Sequence, residues 1–302
     1  ALLGVLREVH RAEVPPHEVR ALEEFYTATS GNISWKPHCS DGWRFSDESQ
    51  GDPCLDSWYG VTCNSQNTSI KLLELSDCGL RGLLPHNISQ LSKLYALNVS
   101  KNFLWGSIPG EVTRMSIRLI DTSFNSLNKT LPPFSSTTLR ILNLHANNFT
   151  GPIPDSWTQM AGLEYLNVSY NQLTGSIPKD MSQLRRLGIL VLSDNQFTSS
   201  IPSTLFRDLP SLRYLSLSNN QLSGTLSSDL YSVQRLSDLE LSLNRLSGII
   251  PEMTSEAQEL SPLRHLYLSD NRFQSTIPTT LGSLSSLVIL DLARNALSGT
   301  IP

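Results

Sequence analysis

The chain has 302 residues, a net charge of -4 at neutral pH and 17% charged residues. This balance argues against nucleic acid as a partner and against a polybasic membrane patch. No apolar run reaches the ~18 residues that a membrane span requires. All four cysteines lie near the N-terminal end, and an even number clustered in this way favours an oxidising compartment.

The first 69 residues contain no repeat and form a predicted N-terminal cap, residues 1–69. The interrupted apolar stretch Leu2–Leu6 indicates an amphipathic helix rather than the remnant of a signal sequence. A second helix is predicted over His17–Thr29, directly after two prolines. Its apolar residues fall on one face, and they are Val19, Leu22, Phe25 and Tyr26. The cap ends with the segment Cys54-Leu-Asp-Ser-Trp-Tyr-Gly-Val-Thr-Cys63.

Residues 70–302 consist of ten copies of one phrase, L-x-x-L-x-L-x-x-N-x-L-x-G-x-I-P. The copy from Leu163 to Pro178 matches every defined position if Val168 is accepted for the third Leu. Cys78 occupies the Asn position of the first copy. In the other copies that position is filled by Asn102, Asn125, Asn147, Asn171, Asn195, Asn220, Asn244, Asn271 and Asn295. A period of about 24 residues predicts a solenoid of stacked repeats.

The order of residues within one copy predicts its local structure. Leu166 and Val168 alternate as in a strand and point inward, so each repeat is expected to contribute one short parallel strand. The side-chain amide of Asn171 turns inward and can satisfy backbone groups of a tight turn, and stacked repeats thus form an Asn ladder. Leu173 and Ile177 fill the next layer of the core.

The G-x-I-P ending is the signature of the plant-type leucine-rich repeat. Residues 70–302 therefore resemble the ectodomains of plant receptor-like kinases and the polygalacturonase-inhibiting proteins. The resemblance implies an α/β solenoid with parallel strands on a concave face, and a protein that binds rather than catalyses, with no cofactor. An insertion falls around Glu252–Glu259. The departures from the pattern are Lys129, Ser199 and Ser275 for the Gly, Ser227 for the Pro, and Thr122 for an inward apolar residue.

The Cys54–Cys63 segment resembles the C-x-W-x-G-V-x-C cap motif of secreted leucine-rich-repeat proteins, and together with Ala21–Gly31 and Trp35 it looks closer to protist or bacterial relatives than to a plant cap. That resemblance implies a disulfide between Cys54 and Cys63. Four cysteines allow three pairings, and two alternatives stay open for Cys39 and Cys78. They form a second disulfide, or Cys78 is a reduced thiol that takes the place of the ladder Asn.

Seven N-x-S/T sequons support secretion into a glycosylating compartment, because chance predicts roughly two among the asparagines outside the ladder. None lies beyond residue 167. They are Asn32, Asn67, Asn87, Asn98, Asn128, Asn148 and Asn167. Asn98 and Asn167 are expected at outward strand positions. Glycans there would cover the nearby strands, whereas the strand surface of the later repeats would carry no glycan.

The outward strand positions of those later repeats combine aromatic and acidic residues, a composition suited to recognising a protein or peptide. We refer to six of them as the strand patch: Tyr214, Asp238, Glu240, His265, Tyr267 and Asp291. A solvated face without a ligand is the alternative. A metal site or an acid–base site built from the patch carboxylates and His265 is disfavoured, because nothing marks a substrate pocket or a nucleophile.

The phrase ends at Pro302 without a C-terminal cap, so we expect the natural chain to continue or another subunit to cover this end. The predicted function is that of a secreted or cell-surface glycoprotein that recognises an extracellular protein, peptide or glycan. Two alternatives remain open. One is a structural subunit that assembles with copies of itself or with other surface subunits, and the other is an inhibitor of a secreted hydrolase.

Overall fold

The structure is a computed structural model, and it describes residues 13–45, 51–253 and 261–302. The helix expected at Leu2–Leu6 lies outside the described residues, as does most of the insertion around Glu252–Glu259. Twenty strands are described: β1 (Val61–Cys63), β2 (Ile70–Glu74), β3 (Arg81–Gly82), β4 (Ala96–Asn98), β5 (Phe103–Gly106), β6 (Leu119–Asp121), β7 (Ser126–Thr130), β8 (Ile141–Asn143), β9 (Asn148–Gly151), β10 (Tyr165–Asn167), β11 (Gln172–Leu173), β12 (Ile189–Val191), β13 (Tyr214–Ser216), β14 (Ser223–Gly224), β15 (Asp238–Glu240), β16 (Arg245–Gly248), β17 (His265–Tyr267), β18 (Arg272–Thr276), β19 (Ile289–Asp291) and β20 (Ala296–Ser298).

The large sheet confirms the predicted solenoid. It has eleven strands in the order β1-β2-β4-β6-β8-β10-β12-β13-β15-β17-β19, and every pair after the first is parallel. The inward strand residues are buried from the first repeat to the ninth, as Leu166 and Val168 illustrate with no exposed surface, while Leu290 of the tenth repeat is exposed. Ten repeats thus stack their apolar layers into one continuous core.

The structure differs from the prediction at the first edge of this sheet. The sequence predicted only helices in the cap, but the cap also contributes a strand, β1, which pairs antiparallel with β2 through Val61 and Leu73. A paired strand satisfies the backbone groups that the edge of β2 would otherwise leave open.

Each repeat contributes one strand to the large sheet, as predicted, but most repeats also carry a second short strand after the ladder Asn, which was not predicted. These strands form a five-stranded sheet, β11-β9-β7-β5-β3, and a four-stranded sheet, β14-β16-β18-β20, on one flank of the solenoid. Their backbone groups pair from repeat to repeat, as in the bond from the Thr174 N–H to the Gly151 carbonyl (2.9 Å). These bonds between repeats satisfy backbone groups that an extended chain would otherwise leave unpaired.

The Asn ladder works as expected. Oδ1 of Asn171 accepts a bond from the Phe149 N–H (3.0 Å), and its Nδ2 donates to the carbonyls of Leu144, Val168 and Ser169 at 3.0–3.1 Å. One amide therefore joins two repeats through four backbone groups.

The cap is held by helix packing, aromatic contacts and two disulfides. The described helices are α1 (Pro16–Ala28), α2 (Gly31–Ser34) and α3 (Thr204–Arg207), and 3-10 helices cover Pro37–Ser40, His86–Gln90, Gly110–Arg114, Asp155–Gln159, Lys179–Gln183, Ser228–Ser232 and Thr279–Ser283. Helix α1 buries Val19, Leu22 and Phe25 as predicted. Within the described ranges no helix is long and apolar enough to cross a membrane.

The disulfides pair Cys54 with Cys63 and Cys39 with Cys78. The first pairing is the one implied by the cap motif. The second resolves the open question about Cys78, which is bonded to the cap rather than reduced. The first position of the ladder thus joins the cap to the solenoid covalently, where the later positions hold an amide.

Candidate functional site

The strand patch is assembled by the register of the large sheet. Tyr214 on β13 pairs with Asp238 on β15, and Asp238 pairs with His265 on β17. Glu240 pairs in the same way with Tyr267, which pairs with Asp291 on β19. The six residues thus form two adjacent rows across four strands. All six side chains are half-buried, so they stand in one surface rather than projecting singly into solvent.

Asp238 is the most constrained member of the patch. Its carboxylate is hydrogen-bonded to Nδ1 of His265 and accepts a bond from the Ser237 hydroxyl. Burial opposes ionisation, but the bonds from His265 and Ser237 outweigh it and hold the pKa of Asp238 below its ordinary value. Burial, aided by the nearby Glu240 carboxylate, raises the pKa of Tyr214. At neutral pH the patch therefore presents the Asp238 carboxylate beside the neutral phenol of Tyr214.

The two rows combine aromatic rings with ionised and polar groups. In the described ranges, no group of three or more His, Cys, Asp or Glu side chains could hold a metal ion. The Tyr267 ring lies beside the His265 ring with centroids 6.5 Å apart, so an aromatic contact joins the two rows next to their carboxylates. Such mixed surface can pair with both the side chains and the backbone of a ligand.

A recess that was not predicted lies beside the patch, where strands β10, β12, β13 and β15 begin. It has a volume of about 600 Å³, and Tyr214 and Asp238 form part of its wall. The recess exists because Gly188 has no side chain at a position that other repeats fill with larger residues, such as Tyr95 and Arg118. Comparing this position across the repeats would have revealed it.

A row of aromatic rings on the first half of the solenoid was also not predicted. The His145 ring lies between Phe124 and Tyr170, with centroid distances of 4.7 and 5.3 Å. Phe124 and Tyr170 are about half exposed. Burial lowers the pKa of His145, so the row is neutral at physiological pH.

The sequons lie on the surface to different extents. Asn32, Asn67 and Asn148 are exposed, while the other four are half-buried. Asn98 and Asn167 end strands β4 and β10 at outward positions. In each, Oδ1 accepts a bond from the hydroxyl of the sequon serine, at 2.7 Å for Ser100 and 2.6 Å for Ser169. Their glycosylation stays a prediction.

Comparison with known proteins matches the repeats to an established family. Family models described as "Leucine rich repeat" match residues 137–197 and 186–246, and also 69–91 and 262–284, which together make slightly more than half of the chain. Phytosulfokine receptor 1 of Arabidopsis thaliana is 31% identical over 178 residues, which cover 50% of this chain and 17% of the receptor. The chain thus spans less than a fifth of that receptor.

Solved structures show the same fold. The ectodomain of the receptor kinase GASSHO1/SCHENGEN3 from Arabidopsis thaliana, in complex with CASPARIAN STRIP INTEGRITY FACTOR 2, is similar with a TM-score of 0.85 and 29% identity over 94% of this chain and 33% of its own. A plant ice-binding protein has a TM-score of 0.79 and 30% identity, over 96% of this chain and 90% of its own. The chain belongs to the leucine-rich repeat family, and it is similar to the ectodomains of plant receptor kinases.

Proposed function

We propose that this protein lies outside the cell and binds an extracellular peptide or protein on the strand patch. The observation that carries the proposal is the register that gathers Tyr214, Tyr267 and three carboxylates into two adjacent rows. Half-buried tyrosines are rigid and amphipathic, and such residues supply much of the binding energy in protein interfaces. The similar ectodomain of GASSHO1/SCHENGEN3, solved with a bound factor, supports ligand binding by this fold. The two disulfides agree with an extracellular location.

The test begins with selection of linear peptides from a displayed random library on the immobilised chain. The affinity of a selected peptide is then measured for Tyr214→Ala and Tyr267→Ala. Each change should weaken binding about tenfold or more, because each removes a central aromatic contact. Tyr95→Ala is the matched control, since Tyr95 is an exposed tyrosine of the second repeat, away from the patch. Equal affinities for all three variants would remove the strand patch from consideration.

The two alternative functions predicted from the sequence, a structural subunit and a hydrolase inhibitor, can be tested with the same purified protein. A structural subunit would assemble through end or flank surfaces without added ligand, which electron microscopy would reveal. An inhibitor would slow a secreted glycanase from a test panel. A monomer that inhibits none of the panel and binds a selected peptide through Tyr214 and Tyr267 would support recognition.

A second candidate function, binding to ice, is favoured by the flank that carries the short strands. Five successive repeats place a hydroxyl at the same flank position, in Thr150, Thr174, Thr198, Ser223 and Ser247. Equivalent positions are offset by two residues between neighbouring flank strands, since Thr150 pairs with Gln172 and Ser223 with Arg245, so these hydroxyls form a diagonal row that can order water. The similar plant ice-binding protein has the same fold over nearly its whole length.

Growth of single ice crystals in the presence of the protein tests this candidate. Inhibition of growth should be lost when Thr174 and Thr198 are both replaced by Lys, because the long charged side chains interrupt the hydroxyl row. Tyr267→Ala should leave the inhibition unchanged. Ice that grows at the same rate with and without the wild-type protein would refute the candidate.

A further inference from the structure

Two aromatic rings stand out on the five-stranded flank sheet. Phe103 and Trp105 alternate with the buried Leu104 on strand β5, so both project outward on one face, and they are 57% and 51% exposed. Two strands further along, the outward positions of the same sheet are polar, as Asn148 and Thr150 show. Neighbouring exposed rings on such a flank indicate a surface that another group covers.

The two rings differ in what lies over them. Arg81 pairs with Phe103 in the register of the sheet, and its guanidinium carbon lies 5.1 Å from the centroid of the Phe103 ring, within the range of a cation–π contact. In the described parts of the chain, no cation lies over the ring of Trp105. Trp105 is therefore the half of this aromatic pair that lacks a partner.

Trp105 also differs from every other tryptophan of the chain. All five tryptophans fall within the described residues, and the other four are buried, namely Trp35, Trp43, Trp58 and Trp157. Indole is a large apolar group that buries more surface than most side chains when it finds a partner. Its exposure on a flank sheet thus asks for a covering group close by.

The register of the flank sheet brings a glycosylation sequon beside this ring. Trp105 pairs with Ser126 on strand β7, and Asn128 lies two residues further along the same strand, on the outward face. With about 4.8 Å between strands and about 3.3 Å of rise per residue, the Cα atoms of Trp105 and Asn128 are about 8 Å apart. Asn128, Lys129 and Thr130 form an N-x-T sequon. A sugar on Asn128 therefore leaves the sheet next to the uncovered indole.

We propose that an N-linked glycan on Asn128 packs its first sugars on the indole of Trp105 and covers it. The C–H faces of sugar rings are apolar and match the flat face of an indole. The covalent bond to Asn128 keeps the sugars at a high effective concentration beside the ring, so even a weak contact is populated. The inference rests on the extracellular location in the proposed function, because N-glycans are added in the secretory pathway.

Asn148 provides a matched control on the same sheet. It pairs with Asn128 on the next strand, β9, and its side chain is exposed. By the same spacing its Cα atom lies about 12 Å from that of Trp105, on the far side of Asn128. A glycan on Asn148 has the same chemistry as one on Asn128, but it starts one strand too far away to cover the indole.

Quenching of tryptophan fluorescence by acrylamide measures the cover directly. The protein is secreted from a eukaryotic host, and glycopeptide mass spectrometry should find sugar on Asn128. Because the other four tryptophans are buried, a quenchable component reports on Trp105. The wild type should show little of it, Asn128→Gln should gain it, and Asn148→Gln should match the wild type. Adding Trp105→Thr to Asn128→Gln should remove the component again, and equal quenching in the wild type and Asn128→Gln would overturn the proposal.

Thermal unfolding tests whether the sugar and the ring act as one unit. Asn128→Gln and Trp105→Thr should each lower the melting temperature, and the double variant should lose no more than the larger single loss, since each change removes the same contact. Additive losses would contradict the contact. Thr130→Ala abolishes the sequon while Asn128 stays, so it should behave like Asn128→Gln and replaces it if that variant fails to fold. Thr130→Ser keeps the sequon and should behave like the wild type.

The rival occupant of the indole is a second copy of this chain. If the glycosylated wild type forms a dimer in sedimentation experiments and Trp105→Thr makes it monomeric, the ring is a self-association surface and the proposal is overturned. Sugar on other sequons with none on Asn128 would also overturn it, and would leave the extracellular location standing. Peptide binding depends on Tyr214 and Tyr267 of the strand patch, so its loss or presence is measured separately from the cover on Trp105.

Discussion

Oε2 of Glu18 accepts a hydrogen bond of 2.8 Å from the backbone N–H of Ile70. Glu18 lies on α1 of the cap, and Ile70 is the first residue of β2, the first strand of the repeats. Both residues are buried. Burial raises the pKa of Glu18, and the bond from Ile70 opposes this only in part. One carboxyl group thus joins the cap to the solenoid, and its burial makes its ionised form less favourable.

Replacement of Glu18 by Ala should destabilise the cap by about 1–3 kcal/mol, because the buried N–H of Ile70 loses its acceptor. Glu18→Gln keeps an oxygen in place and should lose less. The free energy of unfolding, measured in denaturant at neutral pH, checks the order of the two variants. Glu23→Ala on the same helix is the control and should have little effect. A loss in Glu18→Gln as large as in Glu18→Ala would show that charge, not the acceptor, matters.

The same residue predicts a pH dependence of stability. The pKa of Glu18 is raised in the folded state, so the folded protein keeps a proton that the unfolded chain releases near its ordinary pKa of about 4.3. Stability should fall as pH rises from that value through the folded pKa, and then stay level. Glu18→Gln removes this component. Its stability relative to the wild type should therefore rise between about pH 4 and neutrality, and a constant difference would contradict the assignment.

The three departures from the repeat glycine keep the backbone of a glycine. Lys129, Ser199 and Ser275 have φ values of 77°, 69° and 73°, close to the 81° of Gly175. A side chain in this left-handed region is strained, while glycine loses more entropy on folding. We expect each residue, replaced by Gly, to gain about 0.5–1 kcal/mol of stability.

Thermal unfolding of the single and triple glycine variants measures this gain. Gly175→Ser is the converse change, and it should lose a similar amount because a Cβ there would also lie 3.3 Å from that of Pro152. A destabilised Ser199→Gly protein would mean that the serine side chain makes a contact worth more than the strain.

The repeat phrase predicted the solenoid because its apolar positions and its asparagines have the same contacts in every copy. Leu166 and Asn171 could be placed inside from the sequence alone. The flank strands were missed, since a left-handed residue such as Gly175 interrupts the alternation that indicates a strand. Strand β1 was missed because its pairing with β2 depends on the folded cap. The recess was missed because it results from a side chain that is absent at Gly188.

The hydrogen bond between Asp238 and His265 predicts how the pKa of Asp238 changes when His265 is replaced. His265→Ala should raise the pKa of Asp238 towards its ordinary value of about 3.9, because a hydrogen bond to the ionised form is lost. NMR titration of the carboxyl carbon measures the change. The Asp238–His265 contribution to stability is present above about pH 3.9 and is lost as pH falls through the lower folded pKa. Ser237→Ala is a comparison that removes the other bond and should shift the pKa in the same direction.

Thr122 should be the most favourable single position for stabilisation. It lies at an inward position where other repeats have Val99 or Leu144, its side chain is fully buried, and Oγ1 has no hydrogen-bond partner within the described part of the chain. Thr122→Val keeps the shape and removes an unsatisfied hydroxyl, so we expect a gain of about 1–2 kcal/mol in the free energy of unfolding. Thr138→Val is the matched control. The Thr138 hydroxyl donates to the Ile117 carbonyl (3.1 Å), so this variant should lose stability. If Thr122→Val leaves the free energy of unfolding unchanged, the hydroxyl of Thr122 is not unsatisfied in the wild-type protein. A buried water that hydrogen-bonds to it would account for that result.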